Sequence, residues 1–389
     1  MDVQPPASLK ERLCEIQWGW YSISMATGGI AVLLNKTPHQ FTGLPIIGKI
    51  IYIFNLLLFL AVTFSLIIRF LTKPKSLKES FQQPSETYFA PTSLLSIATI
   101  ILGAECYGSS SSGPWLQTAL RIVFWIYVAI SVLVAIAHNW YLYYRGMATR
   151  QPFPIVRLLP FFPAMLSGTI ASTLASNQPS DQAVPILIGG LTLQGFGFLM
   201  SLLVYAEYHY YLNKHGLPDS SERPEMFIAV GPWSFTALAL IGMAKNAVEK
   251  FPSTYIVSSA DSELTGVVTA GQIALVLASL VAVFLWTMAF FHFCIALISV
   301  LSSCRLLGGS GNVMSLPYWS MVFPNTGFVI ATISIGQVLK SEAILWLSSI
   351  MTVLQVTIWL AVGVATIHAV SKRRMLWPMP SYDDDGKDS

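Results

Sequence analysis

The sequence predicts an all-α membrane protein built from ten transmembrane helices. Of its 389 residues, 54% are hydrophobic and 11% are charged, whereas charged residues make up about 25% of a soluble domain. Apolar runs of about 18 residues or more, long enough to cross a hydrocarbon core of about 30 Å, recur along the chain. The strict alternation of apolar and polar residues that is typical of transmembrane β-strands is absent. The chain is therefore expected to be solvated by lipid.

Hydropathy and helix-start residues divide the chain into a cytoplasmic segment 1–16, a ten-helix region 17–370 and an acidic tail 371–389. The third span is weak by hydropathy alone and is included because "PTSLLSIATIILG" begins with a proline that favours a helix start. The predicted spans are 17–35, 46–71, 91–107, 116–143, 155–176, 182–211, 226–246, 265–300, 317–339 and 342–370.

Loop charges predict that both termini lie in the cytoplasm. With that orientation, fifteen Lys and Arg residues fall on the inside and six on the outside, as the positive-inside rule requires. The net charge of +3 comes from loop residues that topology already explains. It is no indication of nucleic-acid binding.

A short repeat relates two of the predicted spans. "IATIILG" at 97–103 and "IATISIG" at 330–336 agree at five of seven positions. All five odd-numbered spans place Gly, Ala, Ser and Thr on neighbouring turns, whereas the even-numbered spans are bulky and apolar. Prolines at or near the start of four odd spans are Pro91, Pro160, Pro163, Pro232 and Pro324. The repeating unit is a helical hairpin, five times over.

These small residues have two interpretations. They allow close helix packing in any membrane bundle, or they line a narrow pore at the centre of five inner helices. Their recurrence in five alternate spans favours the pore. The candidate pore-lining residues are Thr27, Gly28, Gly29, Ser96, Thr99, Ser167, Thr169, Ser172, Thr236, Asn325, Thr326 and Thr332.

Basic residues near the predicted outer ends of the spans favour an anion as the permeating species. Lys49, Arg121 and Lys245 would form a cationic vestibule, and Lys245 directly follows the small-residue face of the seventh span. Long basic side chains at span ends also reach towards the membrane interface without any ligand, and Arg121 could instead pair with Glu105.

Motifs for enzymatic or metal chemistry are absent. The chain has no P-loop, no HExxH and no paired carboxylates within a span, and its four cysteines lack metal-site spacing. We expect no enzyme activity, cofactor or metal. Three span histidines, His138, His209 and His292, could carry protons in symport but are interpreted as packed or interfacial residues.

Four segments carry a resemblance to a known family. "WYSISMATGGIAVLL", "LSGTIAS", "VGPWSFTALALIGMAK" and "YWSMVFPNTGFVIATISIG" are similar to the tellurite-resistance/dicarboxylate transporter family, part of the voltage-dependent anion channel superfamily. Fungal malic acid permeases, fungal sulfite efflux pumps and plant slow anion channels belong to it, and "GMAK" and "FPNTGF" read closest to the permeases.

This resemblance implies a fold and a function. It implies a plasma-membrane homotrimer in which each protomer has five hairpins around its own pore. It also implies an aromatic gate, which falls on Phe323 beside Pro324. The expected substrate is an organic acid anion, a C4-dicarboxylate such as malate; a sulfite efflux pump or an anion channel is the alternative. Membrane lipid is the other expected partner.

Overall fold

The computed structural model describes residues 8–109, 111–150, 153–252, 255, 268–303 and 314–377. The first and last residues of the chain, with most of the acidic tail, lie outside these ranges. The described helices are α1 Leu9–Leu13, α2 Tyr21–Lys36, α3 Leu44–Thr72, α4 Lys75–Gln82, α5 Pro84–Thr87, α6 Thr92–Gly108, α7 Pro114–Tyr144, α8 Met147–Arg150, α9 Phe162–Leu174, α10 Ser180–His215, α11 Gly231–Lys250, α12 Ala270–Ser302, α13 Phe323–Val338 and α14 Glu342–Ser371.

Eight helical stretches within the described ranges are long and apolar enough to cross a membrane. They correspond to eight of the ten predicted spans and make the chain a multi-pass membrane protein. The first and fifth predicted spans fall on α2 and α9, which have 16 and 13 residues. At 1.5 Å per residue these helices are only about 24 and 20 Å long.

The two helices are short because part of each predicted span forms a separate helical segment. Segments in 3₁₀ conformation precede α2, α9, α11 and α13, at Trp18–Trp20, Pro154–Leu158, Arg223–Val230 and Leu316–Met321. A proline occupies one of the first two positions of α9, α11 and α13, where its missing N–H costs no helical hydrogen bond.

The start of α13 differs from expectation for this reason. The sequence predicts one continuous span over 317–339. Instead, the 3₁₀ segment ends at Met321, and α13 begins at Phe323 with Pro324 as its second residue. The predicted span is therefore two helical segments, and Phe323 is the first residue of the second.

Five helices form the centre of the molecule. These inner helices, α2, α6, α9, α11 and α13, contact one another in that order, and α13 contacts α2 to close the series. In the three inner stretches that are long enough to be spans, between 61% and 83% of the most apolar 18 residues are buried, against 17–33% in the other five stretches. The small-residue spans are therefore the interior ones.

The outer helices, α3, α7, α10, α12 and α14, pack on this centre. Each contacts the inner helix that precedes it or follows it in the chain. Their free faces carry bulky apolar side chains such as Phe64, Leu203 and Phe284, which are 65%, 65% and 72% exposed. A surface of this kind suits lipid rather than water.

A buried ion pair fixes one end of the bundle. Arg69, in the last turn of α3, donates from Nη1 and Nη2 to the two carboxylate oxygens of Glu86 at 2.8 and 2.9 Å. Nη1 also donates to the Ile16 carbonyl oxygen. Both side chains are at most 10% exposed, so this bidentate pair ties α3 to α5 and to the segment before α2.

Candidate functional site

A cavity of about 280 Å³ lies among the inner helices. It is lined by Gly29, Val32, Lys36, Thr99, Leu102, Thr169, Ser172, Thr173, Ser176, Phe235, Leu238, Gly242, Lys245, Asn246, Phe323, Thr326, Ile330, Ile333, Ser334 and Gln337. Every described lining residue belongs to an inner helix, except Ser176 in the turn after α9.

The lining residues follow one face of each helix. In α13, Phe323, Thr326, Ile330, Ser334 and Gln337 recur every three or four residues, which is the spacing of a single helical face. The fourteen-residue separation of Phe323 and Gln337 corresponds to about 21 Å along the axis. The cavity, called the passage below, therefore extends along these helices for much of their length.

Two aromatic rings close one end. Phe323 stacks on Phe235 with ring centroids 4.9 Å apart and an interplanar angle of 24°. Both rings line the large cavity, and Phe323 also lines a second cavity of about 20 Å³ together with Phe162, Ser320 and Pro324. Phe323 therefore lies between the two cavities, and it is 3% exposed.

Glycines make room for both rings. A Cβ atom on Gly29 would lie 3.2 Å from Cδ2 of Phe323, and one on Gly327 would lie 2.7 Å from Cε2 of Phe235. The second distance is too short for a real contact, so a side chain at Gly327 would push the Phe235 ring aside. The small residues of α2 and α13 therefore leave room for the two stacked rings as well as for the cavity.

Two lysines mark the other end, which we call the lysine mouth. Lys36 is the last residue of α2, and Lys245 lies near the end of α11 with its Nζ donating to Oε1 of Gln337 at 3.0 Å. Among the described residues, no Asp or Glu lines the cavity. A mouth with cations and without carboxylates raises the local concentration of anions.

Hydrogen-bond donors along the passage are few. The hydroxyl groups of Thr99 and Thr326 already donate to the carbonyls of Ser96 and Val322, so they are left as acceptors. The Thr169 hydroxyl has no hydrogen-bond partner among the described residues, and its oxygen is buried. Anions need donors when they leave water, and Lys36 and Lys245 offer them at the lysine mouth.

The structure brings eight of the predicted site residues to this passage. Seven line the large cavity and Pro324 lines the small one. The seven are Gly29, Thr99, Thr169, Ser172, Lys245, Phe323 and Thr326. The other predicted residues, which lie outside both linings, are Thr27, Gly28, Lys49, Ser96, Arg121, Ser167, Thr236, Asn325 and Thr332.

Three of the threonines outside the passage bond to outer helices instead. Thr27 accepts a hydrogen bond from Trp359 Nε1 at 3.2 Å and Thr332 accepts one from Trp286 Nε1 at 2.8 Å. Thr236 accepts one from Gln194 Nε2 at 2.8 Å. These hydroxyls satisfy buried polar groups between helices, as the packing interpretation of the small residues predicts.

Two of the predicted vestibule charges lie elsewhere. Lys49 is exposed on α3, and Arg121 donates to Oε1 of Gln178 at 3.4 Å. Glu105, the alternative partner for Arg121, instead accepts a hydrogen bond from Asn177 Nδ2 at 2.5 Å. Lys245 is the member of the predicted vestibule that lines the cavity.

Thirteen of the twenty lining residues were not among the candidates, and they include Phe235, Lys36, Asn246 and Gln337. Phe235 resembles an ordinary core residue because it is the bulky member of a small-residue helix, and Lys36 resembles an interfacial lysine at a span end. Asn246 and Gln337 directly extend the lining faces of α11 and α13. Steps of three or four residues along the helix lead from Lys245 to Gly242 and from Phe323 to Gln337. These steps identify the lining residues only once the lining face is known.

The comparisons with known proteins agree with an anion passage. A family model described as "Voltage-dependent anion channel" matches residues 15–367. The chain belongs to the voltage-dependent anion channel family. A malic acid transport protein from Schizosaccharomyces pombe is 31% identical over 97% of this chain and 84% of that protein.

Other members of the family are also similar over nearly the whole chain. A putative malic acid transport protein from the same yeast is 30% identical over 98% of this chain and 86% of its own. A sulfite efflux pump from Arthroderma benhamiae is 21% identical over 90% of this chain and 89% of its own. As a member of the voltage-dependent anion channel family, the chain is an anion transport protein and not an enzyme.

Proposed function

We propose that this protein carries C4-dicarboxylates such as malate across the membrane through the passage between the inner helices. The observation that carries the proposal is the cavity itself, with lysines at one end and an aromatic pair at the other end. The substrate enters at the lysine mouth, and Phe323 with Pro324 beside it forms the gate.

The charge of the site suits a dicarboxylate. Lys36 and Lys245 provide two cations to match the two carboxylates of malate. The malic acid transport proteins named above, at 30–31% identity over nearly the whole chain, support the same substrate class. The sulfite efflux pump, at 21% identity, supports a smaller oxyanion as the second candidate.

The architecture that we propose has ten membrane helices arranged as five hairpins around this passage. It is supported by the closed order of contacts among the inner helices and by the outer helices packed on them. In this arrangement α2 and α9 cross the membrane together with the 3₁₀ segments that precede them, which supply the missing length.

We further propose a homotrimer in the plasma membrane with both termini in the cytoplasm. The family resemblance and the positive-inside count support these assignments, and the apolar faces of the outer helices offer surface to lipid and to neighbouring protomers. The mass of the purified protein in a lipid nanodisc tests the trimer, and a mass of one or two chains would contradict it.

Uptake into vesicles containing the pure protein tests the substrate. Labelled malate, succinate and sulfite are offered separately, with and without a pH gradient. Saturable malate uptake that succinate inhibits is the expected result. Sulfite flux without malate flux would assign the protein to sulfite transport, and flux that never saturates would indicate a channel.

A further inference from the structure

Two histidines meet between outer helices, away from the passage. Nε2 of His209, on α10, lies 3.3 Å from Nε2 of His292, on α12. Both helices contact the inner helix α11. The imidazole pair therefore spans from one outer helix to the other.

A backbone carbonyl sets the protonation of one ring. Nδ1 of His292 lies 2.8 Å from the carbonyl oxygen of Met288. A carbonyl oxygen only accepts, so Nδ1 carries the hydrogen and the neutral ring keeps its lone pair on Nε2. That lone pair points to His209. A carbonyl that holds one ring nitrogen while the other faces outward is the usual support of a metal-binding histidine.

We propose that His209 and His292 form a binding site for a divalent transition metal ion, such as Zn²⁺, Ni²⁺ or Co²⁺. Two imidazole nitrogens, each about 2.0–2.1 Å from a tetrahedral metal ion, lie about 3.3–3.4 Å apart. The observed separation is 3.3 Å, so the ion could enter with little movement of the rings. Imidazole is a preferred ligand of these metals.

The coordination sphere would be completed from solvent. No group of three or more His, Cys, Asp or Glu able to hold a metal occurs among the described residues, and Glu207, two positions before His209, is paired with Arg157. His209 is only partly buried and lies six residues before the end of α10 at His215, so an ion with its waters would approach from that end of the helix. Two protein ligands make a weak and reversible site rather than a permanent structural one.

An ion at this site would act on α11. Trp233 of α11 stacks on Tyr205 at 4.9 Å and lies 6.1 Å from the His292 ring. Phe235, which closes the passage, follows two residues later. A metal bridge would hold α10 and α12 together over this part of α11 and hinder its movement. We therefore expect the ion to slow transport, and this consequence rests on the proposed function.

Binding is tested on the purified full chain without any transport assay. Co²⁺ is titrated while its visible absorption is recorded, and Zn²⁺ is then added as a competitor. We expect saturable Co²⁺ binding that Zn²⁺ reverses, and at least a tenfold weaker affinity in His209→Ala and in His292→Ala. His138→Ala, which changes a histidine on α7, is the matched control and should bind like the unaltered protein.

Several results would overturn the proposal. Co²⁺ affinity that is unchanged in both variants would place the metal elsewhere, and equal weakening in His138→Ala would indicate non-specific binding. A thermal melt without metal shows whether each variant is folded, and His292→Gln provides a second variant of similar size that lacks the ligand nitrogen.

Malate uptake assays distinguish metal binding at the histidine pair from its proposed effect on α11. Zn²⁺ should reduce malate uptake in the unaltered protein and in His138→Ala, but not in His209→Ala. If Co²⁺ binds at the pair and the flux does not change, only the proposed effect on α11 is refuted. If the unaltered protein binds Co²⁺ but takes up no malate, the proposed substrate is refuted and the metal site is not.

Discussion

Replacing Phe323 by alanine removes the ring that separates the cavity of about 280 Å³ from the one of about 20 Å³. If this ring is the gate, it must leave its stack on Phe235 whenever an anion passes. Phe323→Ala abolishes that step, and the passage becomes continuous. The expected result is a leak, seen as larger anion flux that no longer saturates.

The structure gives the size of the effect. Breaking an aromatic pair such as Phe323–Phe235, with centroids 4.9 Å apart, costs about 0.5–1.5 kcal/mol beyond burial. Exposing the buried ring costs about 1.5–3 kcal/mol more. Because about 1.4 kcal/mol changes a rate tenfold, removing even part of this barrier should raise flux at low substrate concentration by at least about tenfold.

The same helix offers a matched control. Phe328 is buried like Phe323, but it stacks on Trp286 and Phe293 of α12 at 5.3 and 5.6 Å and does not line the cavity. Phe328→Ala should lower stability by about 3–5 kcal/mol, as large-to-small core changes do, without raising flux. Phe323 already borders open space on two sides, so its loss should cost less.

Flux of labelled malate and the thermal midpoint are measured together in vesicles and in detergent. Higher flux in Phe323→Ala, with assembly retained, supports the gate. Lower flux with a large fall in the midpoint, matching Phe328→Ala, would refute the reasoning, because the ring would then be a core residue.

Three further changes test other parts of the account. Lys245→Ala should raise the apparent substrate constant about ten- to a hundredfold, since a charged hydrogen bond contributes about 1.5–3 kcal/mol; the exposed Lys340→Ala is the control, and equal effects would contradict the lysine mouth. Thr99→Trp should block malate uptake in an intact protein while Val132→Trp, on the outer helix α7, is tolerated, and equal inhibition would remove α6 from the passage. Glu86→Ala should lower the free energy of unfolding by about 3–5 kcal/mol, because it leaves a buried arginine without its partner; an unchanged melting midpoint would contradict this.

The division into inner and outer helices could be predicted from the sequence because it rests on composition. Small residues recur in α2, α6, α9, α11 and α13, and these helices lie at the centre. Their lengths could not be predicted as well. A hydropathy window does not distinguish a 3₁₀ segment from an α-helix, so the first and fifth spans read as continuous although α2 and α9 begin later.

The face of each inner helix could not be predicted, because these helices are buried on nearly all sides. Thr99 and Thr332 occupy the same position of the repeat, yet Thr99 lines the cavity and Thr332 accepts a hydrogen bond from Trp286. Two positions after Thr332, Ser334 faces the cavity instead. A periodic pattern identifies the lining face only when the two faces of the helix differ in polarity. Here small residues, including Ser and Thr, lie on both faces.

The central claim is that anions travel along the lined faces of the inner helices, and reaction of a cysteine at Ser334 with a charged thiol reagent tests it most directly. Ser334→Cys and Thr332→Cys are made in a protein whose native cysteines are replaced, and each is treated with an anionic thiosulfonate in vesicles. We expect the cysteine of Ser334→Cys to react, its reaction to stop malate uptake and excess malate to slow that reaction, while the cysteine of Thr332→Cys stays unreactive. Equal reaction at both positions, or no protection by malate at 334, would contradict the passage.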